Sequence, residues 1–246
     1  MIRSVLFAAV FYGLTAIFAV LYLPFMLLPR NMFSGLARLW VRMMMGVIRC
    51  ILGIRYELRG TGNIPEGPAI FASKHQSAWD VLIYNLIIPD CAYVLKRELY
   101  RIPLWGWYVW RIGMVGIDRS AGAKALKKLV GDATALLDSG RSIVIFPQGT
   151  RTAPGESKPY LPGAAALYTG AGYPVVPVAL NSGSFWPRRT FVKKPGVITV
   201  EFLPPIPPGL DRRVFLKQIE AQIEPATLRL EQLAPRGSTA DSQAGE

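Results

Sequence analysis

The sequence predicts an α/β layer fold preceded by a membrane-embedded N-terminal segment, and three observations carry that prediction. Short β-rich runs alternate with helical patterns from about residue 55 onward. No charged side chain occurs between Ser4 and Leu28. The chain of 246 residues is 51% hydrophobic, with a mean hydropathy of +0.29, which is high for a soluble domain.

The uncharged N-terminal run comes first. At ~1.5 Å per residue it is about 38 Å long as a helix, more than the ~30 Å hydrocarbon core of a bilayer. Pro24 is expected to kink its last turns. A secretory signal would have an apolar stretch of only ~7–15 residues closed by a small-x-small site, so the run is read as a retained membrane helix. From Asn31 to Arg59, apolar residues such as Trp40, Val41, Met44, Val47 and Ile48 are interleaved with Arg38, Arg42 and Arg49. On a helix these arginines fall within about 40° of one another. A basic stripe on an apolar helix fits an interfacial element or hairpin partner among anionic head groups. A second spanning or core helix with snorkelling arginines is the alternative. The expected division is a membrane anchor and interfacial helix over 1–57, an α/β domain over 58–233, and a disordered tail over 234–246.

The net charge of +12 and the pI of about 10.0 point to an anionic partner. No zinc-ligand spacing, aromatic RNA-binding strand or basic recognition helix is visible, so no nucleic-acid partner is expected. Anionic membrane lipid is the simpler reading beside an apolar N-terminus. Cys50 and Cys91 are too few and too isolated for a disulfide framework or a metal site.

Candidate strands are Arg55–Leu58, Ala69–Ser73, Tyr93–Leu95, Met114–Ile117, Ser142–Phe146, Val175–Leu180 and Val197–Phe202. The clearest helix runs from about Ala121 to Asp138. Ala125, Leu126, Leu129, Val130, Ala133 and Leu137 recur there at helical spacing, with Gly140 placed as a C-cap. A second helix is expected over Arg212–Leu233, interrupted near Pro225. Prolines over 147–162 and 204–208 mark loops.

The chain contains a single histidine. Imidazole proton transfer therefore falls to His75, just after the apolar run Ala69–Phe71 and so at the carboxyl end of a predicted strand. Asp80 follows five residues later. If His75 is in the turn and Asp80 in the first turn of the next helix, the carboxylate can hold one ring nitrogen and leave the other as base. A capping Asp beside a surface His reads equally well from these residues alone. Three further strand ends each deliver a cation: Lys96 after Tyr93–Leu95, Arg119 in Gly116-Ile117-Asp118-Arg119, and Arg151 in Phe146-Pro147-Gln148-Gly149-Thr150-Arg151. Each alone reads as a solvated charge. Three beside the only His point to an anionic substrate.

In order and spacing, KHQSAWD, GIDRS, FPQGTR and VVPVAL resemble the four motifs of the glycerolipid acyltransferases. Within that family the chain looks most like the bacterial 1-acyl-sn-glycerol-3-phosphate acyltransferases. The resemblance spans about Tyr56 to Phe202. It implies an α/β, single mixed-sheet domain with an N-terminal membrane-embedded two-helix segment. His75 is then the general base and Asp80 its orienting partner, and the acceptor hydroxyl attacks an acyl thioester without an acyl-enzyme. Arg119, Gly149, Thr150, Arg151 and Lys96 would bind the glycerol phosphate, and Val176–Leu180 the substrate or acyl chain. The resemblance implies acyl-CoA or acyl carrier protein, both cytoplasmic, as donor, with no other cofactor and no metal. It implies lysophosphatidic acid as acceptor and phosphatidic acid as product. The basic flank Arg30, Arg38 and Arg42 favours the cytoplasmic face of the bacterial inner membrane for all that follows the first helix. Two departures stand out: Lys74 where Asn is common, and Gln148 where the motif usually has Glu. They leave open another acceptor, such as a lyso-ornithine lipid.

Two rivals remain at this level. A serine hydrolase would need His75 too, but no G-x-S-x-G elbow exists, and Asn181-Ser182-Gly183-Ser184 is the nearest sequence. A non-catalytic scaffold would use its arginines only to bind anionic membrane lipid.

Overall fold

Each apolar run expected as a strand forms one. The structure, a computed structural model that describes residues 1–234, contains β1 (Ile54–Arg59), β2 (Ile70–Ser73), β3 (Ala92–Lys96), β4 (Val115–Ile117), β5 (Ile143–Ile145), β6 (Val175–Leu180) and β7 (Gly196–Phe202). The helices are α1 (Ile2–Leu21), α2 (Arg30–Val47), α3 (Asp80–Ile87), α4 (Trp105–Ile112), α5 (Gly122–Asp138), α6 (Pro162–Ala171) and α7 (Arg212–Leu233). Ala234 is buried, and the remainder of the expected tail lies outside the described residues.

The strands form one seven-stranded sheet in the order β1-β7-β6-β2-β5-β3-β4. Only the β6–β7 pair is antiparallel, so the sheet is mixed. Side chains alternate across β2 and sort into two cores. Phe71 packs with Phe202, Val144 and Val178 beneath α2 and α3, whereas Ile70 and Ala72 meet Leu129, Leu167 and Ile219 from α5, α6 and α7. Helices thus cover both faces. Because β6, β2, β5, β3 and β4 run parallel, their carboxyl ends emerge along one edge of the sheet, where an open α/β sheet places its ligands.

The N-terminal helix ends earlier than its apolar run. α1 stops at Leu21, and Pro24–Leu27 is a separate 3-10 turn. Pro24 has no N–H to continue the helical ladder, so the run passes into a 3-10 turn although Leu23 keeps helical dihedrals, and it turns extended at Leu28 and does not continue as one ~38 Å rod. Twenty residues still give ~30 Å, long and apolar enough to cross a bilayer. Only Ser4 and Phe7 of α1 are buried. α2 turns Phe33, Val41, Met44 and Met45 inward, and Arg42 and Arg49 are exposed.

α5 matches its expected span to within one residue. Gly140 follows it with φ +89°, and Arg141 N–H closes on the Leu136 carbonyl. The expected break in the last helix is absent, since α7 runs unbroken through Pro225. Its inner face of Phe215, Ile219, Ile223, Ala226 and Leu230 is buried on the sheet. Tertiary burial outweighs the one backbone bond that the proline removes.

Candidate active site

β2 ends at Ser73, and residues 74–79 turn the chain into α3. The turn solves the spacing problem of a His and an Asp five residues apart. His75 stays in the loop, Asp80 opens the helix, and Nδ1 of His75 lies 2.9 Å from Oδ2 of Asp80. The same oxygen accepts the backbone N–H groups of Gln76 (2.8 Å) and Ser77 (2.9 Å), and the Asp80 side chain is 0% exposed. A carboxylate can only accept, so this network assigns the ring hydrogen to Nδ1 and leaves the lone pair on Nε2.

The imidazole, 14% exposed, is held on its flank as well as its edge. It stacks on Phe146, with ring centroids 4.0 Å apart and planes 20° apart. Phe146 follows β5, so the motif at the end of that strand supports the ring. Thr152 closes the contact by donating both its N–H (2.8 Å) and its hydroxyl (3.2 Å) to the His75 carbonyl.

The cations expected at the other strand ends converge on the same place. A single cavity of about 820 Å³ is lined by His75, Lys96, Arg119, Gly149, Thr150 and Arg151. Arg119 donates from Nη2 to the Gly149 carbonyl at 2.9 Å. Gly149 has φ +64°, and a Cβ there would lie 2.5 Å from Leu161 Cδ1 and 2.8 Å from Arg119 Nη2. Glycine is thus required both by the backbone and by the close approach of the guanidinium.

The fourth expected motif is placed differently. All of Val175–Leu180 is buried in the middle of the sheet and none of it lines the cavity. Its backbone supports the site from beneath, since the Lys74 N–H donates to the Val178 carbonyl at 2.9 Å. Sequence reasoning also missed Arg188, which lines the cavity and donates from Nη1 to the Arg151 carbonyl at 3.1 Å. The only available signal was a basic pair after an aromatic–proline step beyond a strand end. The cavity's apolar wall was missed as well. It comes from Phe18 of α1 and Tyr22 just past its end, Phe33 and Trp40 of α2, and Tyr108 and Ile112 of α4.

A carboxylate-oriented imidazole with a free nitrogen, set beside three arginines in a cavity with an apolar wall, has the chemistry to activate a hydroxyl and to hold an anionic, lipid-like molecule. Comparison with known proteins narrows the class. The family model for acyltransferases matches residues 55–181. A 1-acyl-sn-glycerol-3-phosphate acyltransferase of Pseudomonas aeruginosa is 38% identical over 205 residues, covering 81% of this chain and 78% of that one. The human 1-acyl-sn-glycerol-3-phosphate acyltransferase alpha is 32% identical over 170 residues, covering 68% of this chain and 60% of that one. The crystal structure of PlsC, the 1-acyl-sn-glycerophosphate acyltransferase of Thermotoga maritima, superposes with a TM-score of 0.76 at 22% identity. That match covers 96% of this chain and 98% of that one. The chain belongs to the acyltransferase family and is an O-acyltransferase.

Proposed function

We propose that the chain transfers an acyl group from acyl-CoA or acyl carrier protein to the free hydroxyl of 1-acyl-sn-glycerol-3-phosphate, giving phosphatidic acid. One observation carries this reading. The same cavity holds a base, a cationic rim and an apolar wall, which match the hydroxyl, the phosphate and the acyl chain of one lysophospholipid.

In the proposed reaction, Nε2 of His75 takes the hydroxyl proton as the oxygen attacks the thioester carbonyl. Asp80 stabilises the imidazolium that forms. The tetrahedral adduct then collapses, the carbon–sulfur bond breaks, and the leaving thiolate takes the proton back from the imidazolium. No acyl-enzyme is formed. Arg119, Arg151 and Lys96, with the backbone turn at Gly149 and Thr150, hold the phosphate, and Arg188 adds a further cation.

The acceptor is tested with labelled acyl-CoA and acyl carrier protein against a panel of lysolipids. Lysophosphatidic acid is expected to be acylated fastest. Arg119→Ala should lower kcat/KM for it about 10–100-fold, as expected for a lost charge-assisted contact. Preference for a lyso-ornithine lipid, which has no phosphate, would overturn the acceptor assignment and leave the base in place.

The membrane reading rests on α1, on the arginines beside α2, and on α4. Trp105, Trp107 and Trp110 of α4 are exposed, and Tyr108 of the same helix donates to the Ala19 carbonyl of α1. Tryptophans favour the head-group layer. Residues 1–57 are proposed to seat the enzyme on the cytoplasmic face of the bacterial inner membrane, with 58–233 as the catalytic domain. Replacing Arg38, Arg42 and Arg49 together by glutamine should weaken flotation with phosphatidylglycerol vesicles at low salt. At roughly 1 kcal/mol per charge, the loss is on the order of 100-fold in partitioning. Equal loss on neutral phosphatidylcholine vesicles would remove anionic lipid as a partner.

A further inference from the structure

α7 carries two carboxylates seven residues apart, Glu224 and Glu231. Seven residues fall within about 20° of two full helical turns, so both project from one face. That face meets the loops at the carboxyl edge of the sheet.

Glu224 gathers donors from three separate segments. Lys74 Nζ reaches its Oε2 at 2.6 Å, and the Tyr160 hydroxyl reaches its Oε1 at 2.8 Å. Gln148 Nε2 approaches the same Oε1 at 3.4 Å. Lys74 is 1% exposed and Glu224 20%. A buried ammonium is tolerated only when paired, and Lys74 donates in addition to the Glu156 carbonyl at 3.0 Å. Burial, reinforced by the Glu224 carboxylate, pushes the Tyr160 phenol far above its ordinary pKa, so it remains a donor. Glu231 repeats the arrangement two turns later. It accepts from the side-chain amide of Gln76 and, at 2.8 Å, from the Gly155 N–H. Gln76 is itself fully buried, and its carbonyl oxygen accepts the Gly183 N–H at 3.1 Å.

Lys74 and Gln76 are the two chain neighbours of His75. We propose that α7 is a positioning clamp for the base: Glu224, through Lys74, and Glu231, through Gln76, fix the backbone on both sides of His75 and aim its ring along the Asp80 bond. The inference rests on the reading of His75 as the base. It joins the two motif departures into one arrangement. The cation at 74 is matched by a carboxylate brought 150 residues along the chain, and position 148, where a carboxylate is commoner, carries a neutral amide beside it.

A single histidine makes the test direct, because selective labelling yields one imidazole whose nitrogen resonances report ring environment and tautomer without turnover. The full-length protein in detergent is compared as wild type, E224Q, E231Q and K74M/E224Q. E224Q is expected to move the imidazole resonances and to lower kcat on the order of 100-fold with KM little changed, as for a misaimed catalytic group. E231Q should act in the same direction by about 10-fold, the scale of one lost buried hydrogen bond. K74M/E224Q should recover most of the E224Q loss, since removing both charges leaves no unpaired buried ion. Unmoved resonances with wild-type kcat in E224Q overturn the clamp, as does a double variant no better than E224Q alone. If E224Q does not fold, E231Q gives the same two readouts. A wild type that transfers no acyl group, while these variants still move the resonances, fails the proposed reaction and leaves the clamp standing.

Discussion

His75→Ala is expected to lower kcat for acyl transfer on the order of 1,000-fold, within the range assigned to a positioned general base. The effect should be this large because nothing can substitute, as the chain has no second imidazole. An unassisted hydroxyl is a weak nucleophile at neutral pH. KM should move little, because the ring meets the reacting hydroxyl while the phosphate and chain are held elsewhere in the cavity. The fold should survive, since the ring packs mainly on Phe146 and its backbone contacts to Thr152 do not depend on the side chain. Added imidazole should restore part of the rate. A kcat within tenfold of wild type would remove His75 from the chemistry.

The second large effect is expected at Asp80. Asp80→Asn keeps the size of a fully buried side chain while removing its charge. His75, Gln76 and Ser77 all meet one oxygen, so an amide either presents its own oxygen there, keeping the bonds without the charge, or turns its NH2 toward the ring and faces the Gln76 and Ser77 N–H groups donor to donor. The ring could then carry its hydrogen on Nε2, the wrong nitrogen, and the imidazolium would lose its counter-charge. Loss of the orienting carboxylate costs ~10,000-fold in hydrolases that depend on the same geometry. About 1,000-fold in kcat is expected here, with the folded protein still melting cooperatively. If Asp80→Asn retains most of the wild-type kcat, Asp80 is only a cap for α3.

The strands were legible because each is a short apolar run bounded by turn residues, and all seven form within a residue or two of their expected limits. α5 was legible for the matching reason, with Ala125, Leu129, Ala133 and Leu137 spaced four apart on a polar background. α4 and α6 gave no such signal. The sequence PGAAALYTGA is apolar or small nearly all round, so periodicity is lost and only packing decides, whereas WGWYVWRI is only eight residues, too short a window for its periodicity to stand out. Pro225 misled because a local helix breaker was weighed without the buried face beneath it. At the site, local spacing sufficed for His75 and Asp80. The pairing of Lys74 with Glu224, and the arrival of Phe18 and Trp40 beside the catalytic loops, depend on how the sheet is ordered. Strand order is set by long-range pairing that no sequence window contains.

The apolar wall has a consequence for how this protein could be simplified. A tether can be cut away to leave a working soluble enzyme, but here the first two helices are part of the chamber itself. Trimming the chain to begin at β1 would remove Phe18, Tyr22, Phe33 and Trp40 from the lining and open the rest of the cavity to water. Solubility and an intact apolar wall therefore oppose each other in this architecture, and a truncated form would keep the His75–Asp80 pair while losing part of the cavity beside it.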